Sequence, residues 1–480
     1  MDIRRLFVLA ALLGTACGSP PDSPSTRDTS ARRLCNTTAF LGADISPGPR
    51  DSKPRELVSV AGALFFTADD GVHGRELWRS SGPGEAGASL VKDIRPGVAT
   101  SSPRSLTVAR DKLFFTADDA VHGRELWVSD GSAQGTVMVR DLWPGALGSA
   151  PEELLAVGEV VYFAAEDGVH GNELWRSDGT PDGTFLVEDL YPGEELSAPG
   201  RPGSSNPRRL SRAGDAFYFV ANEGRSVHLW RSLGAPGATR VFSAPQEHFL
   251  FSLTAVGSRL FFLVDGNEGE ASLWTSQGTP AEKLRSFPGL YPHDLTALGN
   301  TLFFSAGAGK DGRPGDPLGE ELWSSDGTAR GTARVKDLRS GAAGSAPGSF
   351  AVLGGRLYFI ADDGIHGREL WSSDGTAQGT VLLQELGPGA PGASPRELAA
   401  LSGRLFFSAE SSEHGRESWM SDGTAGGALP LTEFAPGVTA SDPHGFVRSG
   451  GDIFFTATDA AHGEELWTLP MGRCLGTPQE

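Results

Sequence analysis

Nine tryptophans recur at intervals of 44 to 55 residues through nearly all of this 480-residue chain, each inside a version of E-L-W. They are Trp78, Trp127, Trp175, Trp230, Trp274, Trp323, Trp371, Trp419 and Trp467. Internal repetition at this period is typical of propeller blades or of a solenoid. The repeat therefore predicts one large architecture of similar units rather than several unrelated domains.

One period, read from residue 104, contains four candidate strands at residues 105–109, 112–117, 125–129 and 136–142. Each is short, rich in β-branched or aromatic residues, and bounded by Gly, Asp or Pro. The 65 glycines and 32 prolines are far more than a helical protein tolerates. Leu113, Phe114 and Phe115 point alternately to opposite faces of one strand, so both faces must be covered, as they are when blades stack. A four-stranded meander of this length predicts a propeller blade.

The two ends of the chain predict how the ring closes. Residues 39–45, followed by Pro47 and Gly48, resemble a fourth strand that precedes the first full repeat, whereas the last repeat ends after its third strand. One N-terminal strand and three C-terminal strands would complete a ninth blade and remove the exposed sheet edges. We therefore predict an all-β, closed propeller of nine four-stranded blades, as a single domain over residues 35–480. An open superhelix and a ring split in two are the alternatives.

The N-terminus is typical of an export signal. Arg4 and Arg5 precede an apolar run at residues 6–13, and small residues lead up to Cys17. This pattern predicts a signal peptide over residues 1–16 and lipidation of Cys17, with an ordinary cleaved signal as the alternative. Residues 17–34 are rich in Ser, Pro and Thr and predict a disordered tether. We expect an exported bacterial lipoprotein, in the outer membrane and facing the periplasm or the surface, that contacts the membrane only through its lipid.

The charge of the chain limits its partners. Acidic residues exceed basic ones by 60 to 41, and the net charge is -19. Binding to nucleic acid needs clustered Lys and Arg, so nucleic acid is excluded. An envelope protein or a glycan remains as the expected partner of a monomeric chain.

The other two cysteines are expected to form a disulfide. Aligning Asp44 with Asp141 and Trp467 with Trp127 places Cys35 and Cys474 in the same turn of the closing blade, between its third and fourth strands. Export permits oxidation of this pair.

The repeated motif resembles that of a bacterial family, the ELWxxDGT-repeat proteins. It stands as ELWVSDGS at residues 125–132, ELWRSDGT at 173–180, ELWSSDGT at 321–328 and 369–376, and ESWMSDGT at 417–424. Blades four and five depart from it, with HLWRSLGA at 228–235 and SLWTSQGT at 272–279. The resemblance implies a repeat-built β protein of the cell envelope, and it implies no catalytic activity.

Three recurring side-chain types could carry chemistry. Six histidines, each followed by Gly, could be metal or proton-transfer ligands, but blades hold them apart, which favours histidines bonded to their own turns. They are His73, His122, His170, His366, His414 and His462. Adjacent acids in the same loops could hold calcium, yet the EF-hand pattern is absent, and the Asp of D-G-T is typical of a turn cap. The aromatic rows could stack on sugars, but their regular placement favours core packing between blades.

These patterns indicate no catalytic residue, metal site or cofactor, and no known catalytic motif occurs. We therefore expect a non-catalytic binding or scaffolding protein of the cell envelope, not an enzyme. The alternatives are a propeller hydrolase or lyase acting on polysaccharide, which would need a cluster that breaks the repeat symmetry, and a calcium-dependent adhesion module. Insertions near residues 194–206 and 307–319 predict that the interaction surface lies on the face that carries the histidine loops.

Overall fold

The computed structural model describes residues 38–80, 87–195, 198, 200–244, 249–266, 270–278, 280–308, 319–387, 389, 392–411, 415–431 and 440–471. In these residues the chain forms strands and no helix, and none of them builds a helix that could cross a bilayer. The strands form nine antiparallel sheets of four, arranged as a nine-bladed propeller. The predicted fold class is confirmed.

The first and second strands of each blade form its inner half. The first strands are β2 (Arg55–Val60), β6 (Arg104–Ala109), β10 (Glu152–Val157), β14 (Arg208–Ala213), β18 (Phe249–Val256), β22 (Leu290–Leu298), β26 (Gly348–Leu353), β30 (Arg396–Leu401) and β34 (His444–Ser449). The second strands are β3 (Ala63–Asp69), β7 (Lys112–Asp118), β11 (Val160–Glu166), β15 (Ala216–Glu223), β19 (Arg259–Asp265), β23 (Thr301–Ala308), β27 (Arg356–Asp362), β31 (Arg404–Ser411) and β35 (Asp452–Asp459).

The third and fourth strands form the outer half. The third strands are β4 (Arg75–Ser80), β8 (Arg124–Ser129), β12 (Asn172–Ser177), β16 (Ser226–Ser232), β20 (Glu270–Ser276), β24 (Glu321–Ser325), β28 (Arg368–Ser373), β32 (Gly415–Ser421) and β36 (Gly463–Pro470). The fourth strands are β5 (Ala88–Lys92), β9 (Val137–Met138), β13 (Phe185–Glu188), β17 (Thr239–Ser243), β21 (Glu282–Pro288), β25 (Ala333–Lys336), β29 (Val381–Gln384), β33 (Ala428–Pro430) and, in blade 9, β1 (Phe40–Ala43).

The ninth blade closes the ring as predicted. Its strand order is β1-β36-β35-β34, and Leu41 of β1 pairs with Trp467 of β36. The N-terminal strand thus covers the edge that the last C-terminal strand would otherwise expose. First strands of consecutive blades lie side by side around the whole ring, including β34 beside β2.

The core lies between blades, because each second strand is apolar on both faces. Phe65 of β3 packs toward blade 2, in a cluster with Phe115 and Trp127. Its neighbour Phe66 faces the other way, toward blade 9, in a cluster with Phe454. Phe115 also stacks on Trp127, with ring centroids 6.4 Å apart. The repeated aromatics are therefore interblade core, as their regular placement predicts.

The antiparallel blades give the propeller two different faces. One, here called the histidine face, carries the connections from second to third strands and from each fourth strand to the next blade. The other, the DGT face, carries the turns within D-G-T and the hairpins between first and second strands. Residues 309–318, most of one predicted insertion, lie outside the described residues.

Candidate functional site

The histidine loops are bonded internally. Asp70 Oδ1 accepts the backbone N–H groups of Val72 and His73, and Asp70 Oδ2 lies 2.7 Å from His73 Nδ1. The loops at His122, His170, His366 and His462 repeat the arrangement. His414 lies outside the described residues. These histidines hold their own turns, and none of the described residues forms a cluster of His, Cys, Asp and Glu that could bind a metal ion.

The D-G-T turns are also capped by their own Asp side chains. Asp178 Oδ1 accepts hydrogen bonds from the backbone N–H and the hydroxyl of Thr180, at 2.9 and 2.7 Å. The hydroxyl of Thr184 donates to the carbonyl oxygen of Thr180 and so closes the turn. This geometry is the Asp-capped turn that the sequence predicts.

The glutamate of E-L-W has a structural role that the sequence analysis missed. Glu125 is buried, and its carboxylate accepts the backbone N–H and hydroxyl of Ser149, at 2.7 and 2.5 Å, in the connection to the next blade. Glu76, Glu173, Glu321, Glu369, Glu417 and Glu465 take the same position in their blades. Each glutamate therefore fastens the segment that leads into the next first strand.

Burial changes the protonation of these glutamates. Desolvation raises the pKa of Glu125 above its ordinary value, although hydrogen bonds from Ser149 oppose it. The same burial raises the pKa of Glu173 and of Glu465 to about 7. Glu465 holds Ser52, three residues before Arg55 of β2, so this buried group positions the wall of the channel.

The first strands line an axial channel, and each contains one β-bulge. In β2 the register shifts between Arg55 and Val58, and Glu56 has a φ of 54°, in the left-handed region. The equivalent residue of every other blade also has positive φ. We call these nine residues the axial ring: Glu56, Ser105, Glu153, Arg209, Ser252, Asp294, Ser349, Glu397 and Gly445. Left-handed conformations are costly for most residues, and they concentrate at functional sites.

The axial ring breaks the symmetry of the repeat. Its residues are acidic in blades 1, 3, 6 and 8 and basic in blade 4, while the hydrophobic residues around them repeat. Glu56 Oε2 accepts the backbone N–H of Leu106 in the next blade, at 2.9 Å. Glu397 is exposed and has no hydrogen-bond or ion-pair partner among the described residues.

A cavity of about 520 Å³ opens where blades 7, 8, 9 and 1 meet the channel. Glu397 and Glu56 both line it, from the two blades that flank blade 9. Blade 9 contributes Gly445 to the axial ring, and a Cβ there would have no atom within 4 Å. The two residues therefore line one cavity from the blades on either side of the open gap at Gly445, and the Glu56 carboxylate is held toward blade 2 by its bond to Leu106. Leu57, Phe350, Leu398 and Phe446 supply apolar lining.

A second polar group lies at the edge of this cavity. His444 Nε2 is 3.1 Å from Arg55 Nη1 and 3.5 Å from Glu464 Oε1, and Arg55 also bonds Glu464. In blades 1, 2, 7 and 8 the residue equivalent to Glu464 is an arginine: Arg75, Arg124, Arg368 and Arg416. Blade 9 has thus exchanged an arginine for a carboxylate beside the gap.

Blade 6 contains a related cluster of His293, Asp294, Glu320 and Ser305. Hydrogen bonds to Asp294 and Glu320 raise the pKa of His293 to about 9, so the imidazole is protonated at neutral pH. The hydroxyl of Ser305 donates to Glu320 Oε1, at 2.8 Å, rather than to the histidine. No nucleophile and base pair results, because the histidine has no free lone pair and the serine faces a carboxylate.

Cys17, Cys35 and Cys474 lie outside the described residues, so the lipidation site and the disulfide stay predictions. The axial cavity was not predicted from the sequence. One sequence feature could have indicated it. The residue before the Leu or Phe of each first strand changes from copy to copy, while its neighbours repeat. Only ring closure brings blades 8, 9 and 1 to one place.

No family model matches this sequence, and no curated protein matches it either. Among solved structures, a prolyl endopeptidase matches 75% of this chain and 55% of its own chain, at 13% identity and a TM-score of 0.41. A puromycin-hydrolysing peptidase of Mycobacterium tuberculosis matches 88% of this chain and 62% of its own, at 12% identity and 0.40. The propeller domain of the Trilobed protease from Pyrococcus furiosus matches 70% of this chain and 99% of its own, at 12% identity and 0.38.

These comparisons correct the predicted function. We expected a non-catalytic binding or scaffolding protein that is not an enzyme, whereas the two larger proteins that share the fold are peptidases. The chain spans 55% and 62% of their lengths, and at these identities the likeness shows the fold alone. The expectation of a non-catalytic protein is therefore withdrawn, and any activity of this chain must be argued from the residues of the axial channel.

Proposed function

We propose that this chain is a hydrolase of neutral polysaccharide or oligosaccharide, and that the reaction takes place in the axial cavity. The observation that carries the proposal is the pair Glu397 and Glu56 on either side of the gap at Gly445. Hydrolysis of a glycosidic bond commonly uses two carboxyl groups that flank the bond. The gap is open to a sugar ring, and the cavity is of the size of small-molecule sites.

Each carboxyl group has a distinct environment. The backbone N–H of Leu106 fixes one oxygen of Glu56 as an acceptor, which suits a base that takes the proton of the attacking water. Glu397 has no such donor, which suits the acid that protonates the leaving oxygen. Water adds to the anomeric carbon, the glycosidic C–O bond breaks, and the proton that Glu397 gives is matched by the proton that Glu56 takes.

The charges around the gap favour a neutral substrate. Glu56 and Glu397 both belong to the lining of the cavity, so an anionic sugar would be repelled. Arg55, the one Lys or Arg side chain of the described cavity lining, is bonded to Glu464 and does not stand free to neutralise a sugar carboxylate. A uronate lyase, the other form of the polysaccharide alternative, fits this lining less well than a hydrolase does.

Release of reducing ends tests the proposal. Wild-type protein is incubated with neutral polysaccharides: cellulose, xylan, starch and chitin. Glu397→Gln and Glu56→Gln should each lower the rate about 100-fold or more, the usual effect of losing an acid or base. Glu153→Gln is the matched control, because Glu153 has the same ring position and bonds the backbone N–H of Arg209, but lies outside the cavity lining. The absence of turnover on all four substrates, or an equal loss in Glu153→Gln, would contradict the proposal.

A further inference from the structure

Two neighbouring first strands are longer than the others at the histidine face. Seven first strands begin one residue before their axial-ring residue, whereas β18 begins three residues before Ser252 and β22 begins four residues before Asp294. The additional residues pair with the second strands, Phe249 with Asp265 and Tyr291 with Gly307. The sheets of blades 5 and 6 therefore extend past those of the other blades and form a wall beside the mouth of the channel.

This wall carries aromatic side chains outside the repeated positions, of which Phe251 also belongs to the core between blades 5 and 6. Phe251 and Tyr291 stack with ring centroids 5.2 Å apart and an interplanar angle of 10°. Phe249 lies two residues before Phe251, on the same side of β18. Phe249 is 65% exposed and Tyr291 is 36% exposed, whereas Phe251 is buried beneath them. We call Phe249, Phe251 and Tyr291 the aromatic platform.

Two charged residues lie near the aromatic platform: Asp265 is the cross-strand partner of Phe249, and Arg209 stands on the adjoining first strand of blade 4. Burial raises the pKa of the Tyr291 hydroxyl, the charge of Asp265 adds to this rise, and the charge of Arg209 opposes it. Arg209 belongs to the axial ring, and Phe249 and Tyr291 stand on the first strands of blades 5 and 6, so the platform lies on the channel side of these blades. The aromatic platform thus combines exposed ring faces with a hydroxyl, a carboxylate and a guanidinium at the channel mouth.

We infer that the aromatic platform is a binding subsite for a neutral sugar ring of the same glycan chain that enters the axial cavity. A pyranose has one face of C–H groups, which packs on an aromatic ring, and an edge of hydroxyl groups, which bonds carboxylate, guanidinium and phenol. Membrane lipid would match the exposed Phe249 but not the charged groups beside Tyr291. The choice of a glycan rests on the proposed function, whereas the position of the subsite does not.

Binding of neutral hexasaccharides tests this subsite by calorimetry. The probes are the hexasaccharides of β-1,4-glucose, β-1,4-xylose, α-1,4-glucose and β-1,4-N-acetylglucosamine, titrated into the Glu397→Gln variant so that hydrolysis does not consume them. Tyr291→Ala and Phe249→Ala, added to that variant, should each weaken binding about tenfold, the usual effect of losing one aromatic contact. Tyr291→Phe should retain most of the affinity because the ring remains.

Phe185→Ala is the matched control, since Phe185 is 38% exposed but lies on the outer strand β13. The inference is overturned if no hexasaccharide binds, if the two platform variants bind as tightly as their parent, or if Phe185→Ala loses as much. It is also overturned if Phe249→Ala abolishes binding to phosphatidylcholine vesicles while glycan binding stays unchanged. If binding depends on the platform but wild type hydrolyses none of the polysaccharides, the proposed function is rejected and the subsite is kept. If wild type hydrolyses a polysaccharide but the platform variants bind as tightly as their parent, the subsite is rejected and the proposed function is kept.

Discussion

Replacement of Glu125 by alanine should destabilise the propeller strongly. The change removes a buried carboxylate and leaves two buried donors, the N–H and hydroxyl of Ser149, without their acceptor. An unsatisfied buried donor costs about 1–3 kcal/mol, and the cavity adds to this cost. We therefore expect the free energy of unfolding to fall by about 3–5 kcal/mol.

Urea denaturation followed by tryptophan fluorescence measures this change. Glu159→Ala is the control, because Glu159 is an exposed carboxylate whose ion pair with Arg110 lies at the surface. Such a pair contributes about 0–1 kcal/mol. If Glu125→Ala stays within about 1 kcal/mol of Glu159→Ala, the reasoning that these glutamates fasten consecutive blades is refuted.

Three further predictions concern pH and the cysteines. Burial raises the pKa of Glu173 and Glu465 to about 7, so their contribution to stability is complete below about pH 4.5 and is lost as the pH rises through 7. The melting temperature should therefore be higher at pH 5 than at pH 8. The opposite trend would contradict this assignment. Alkylation of the denatured mature protein without reductant should find Cys35 and Cys474 oxidised, and two reactive thiols would exclude the disulfide. Cys17→Ala should release the protein from the detergent phase into the soluble fraction, and a wild-type protein that is already soluble would exclude the lipid anchor.

The fold could be predicted because nine copies of the repeat carry the same pattern of four strands. Each Trp, with the aromatic pair of the strand before it, marks one blade. The single strand at the N-terminus and the three strands at the C-terminus predict the closure that Leu41 and Trp467 make. The capping of the turns could also be predicted, since an Asp such as Asp178 accepts a hydrogen bond from a residue only two positions away. Local hydrogen bonds of this kind depend on sequence spacing alone.

The candidate site could not be predicted from the sequence in the same way. Glu56 and Glu397 are 341 positions apart in the sequence, and only the closed ring of nine first strands brings them to one cavity. Their bulges are set by backbone geometry, which residue type alone does not reveal. The aromatic platform was missed for a different reason: Phe249 and Tyr291 precede the repeated strand pattern, and the sequence analysis assigned the aromatic rows to the core.

Filling the gap at Gly445 tests the axial reaction centre most directly. Asn tolerates the left-handed backbone that Gly445 adopts, and open space surrounds the position, so Gly445→Asn should fold with a melting temperature within a few degrees of wild type. Its side chain would occupy the open space at Gly445, in the cavity wall between the blades that carry Glu397 and Glu56. Ser105→Asn, at the same ring position outside the cavity lining, is the control.

The measurement is the rate of reducing-end release from the neutral polysaccharide that wild type cleaves fastest. We predict that Gly445→Asn loses about tenfold or more of this rate while Ser105→Asn keeps it, because a 1.4 kcal/mol penalty on substrate or transition state is a factor of ten. Full activity in a folded Gly445→Asn variant, or no release by wild type from any neutral polysaccharide, would contradict the axial cavity as the site of hydrolysis.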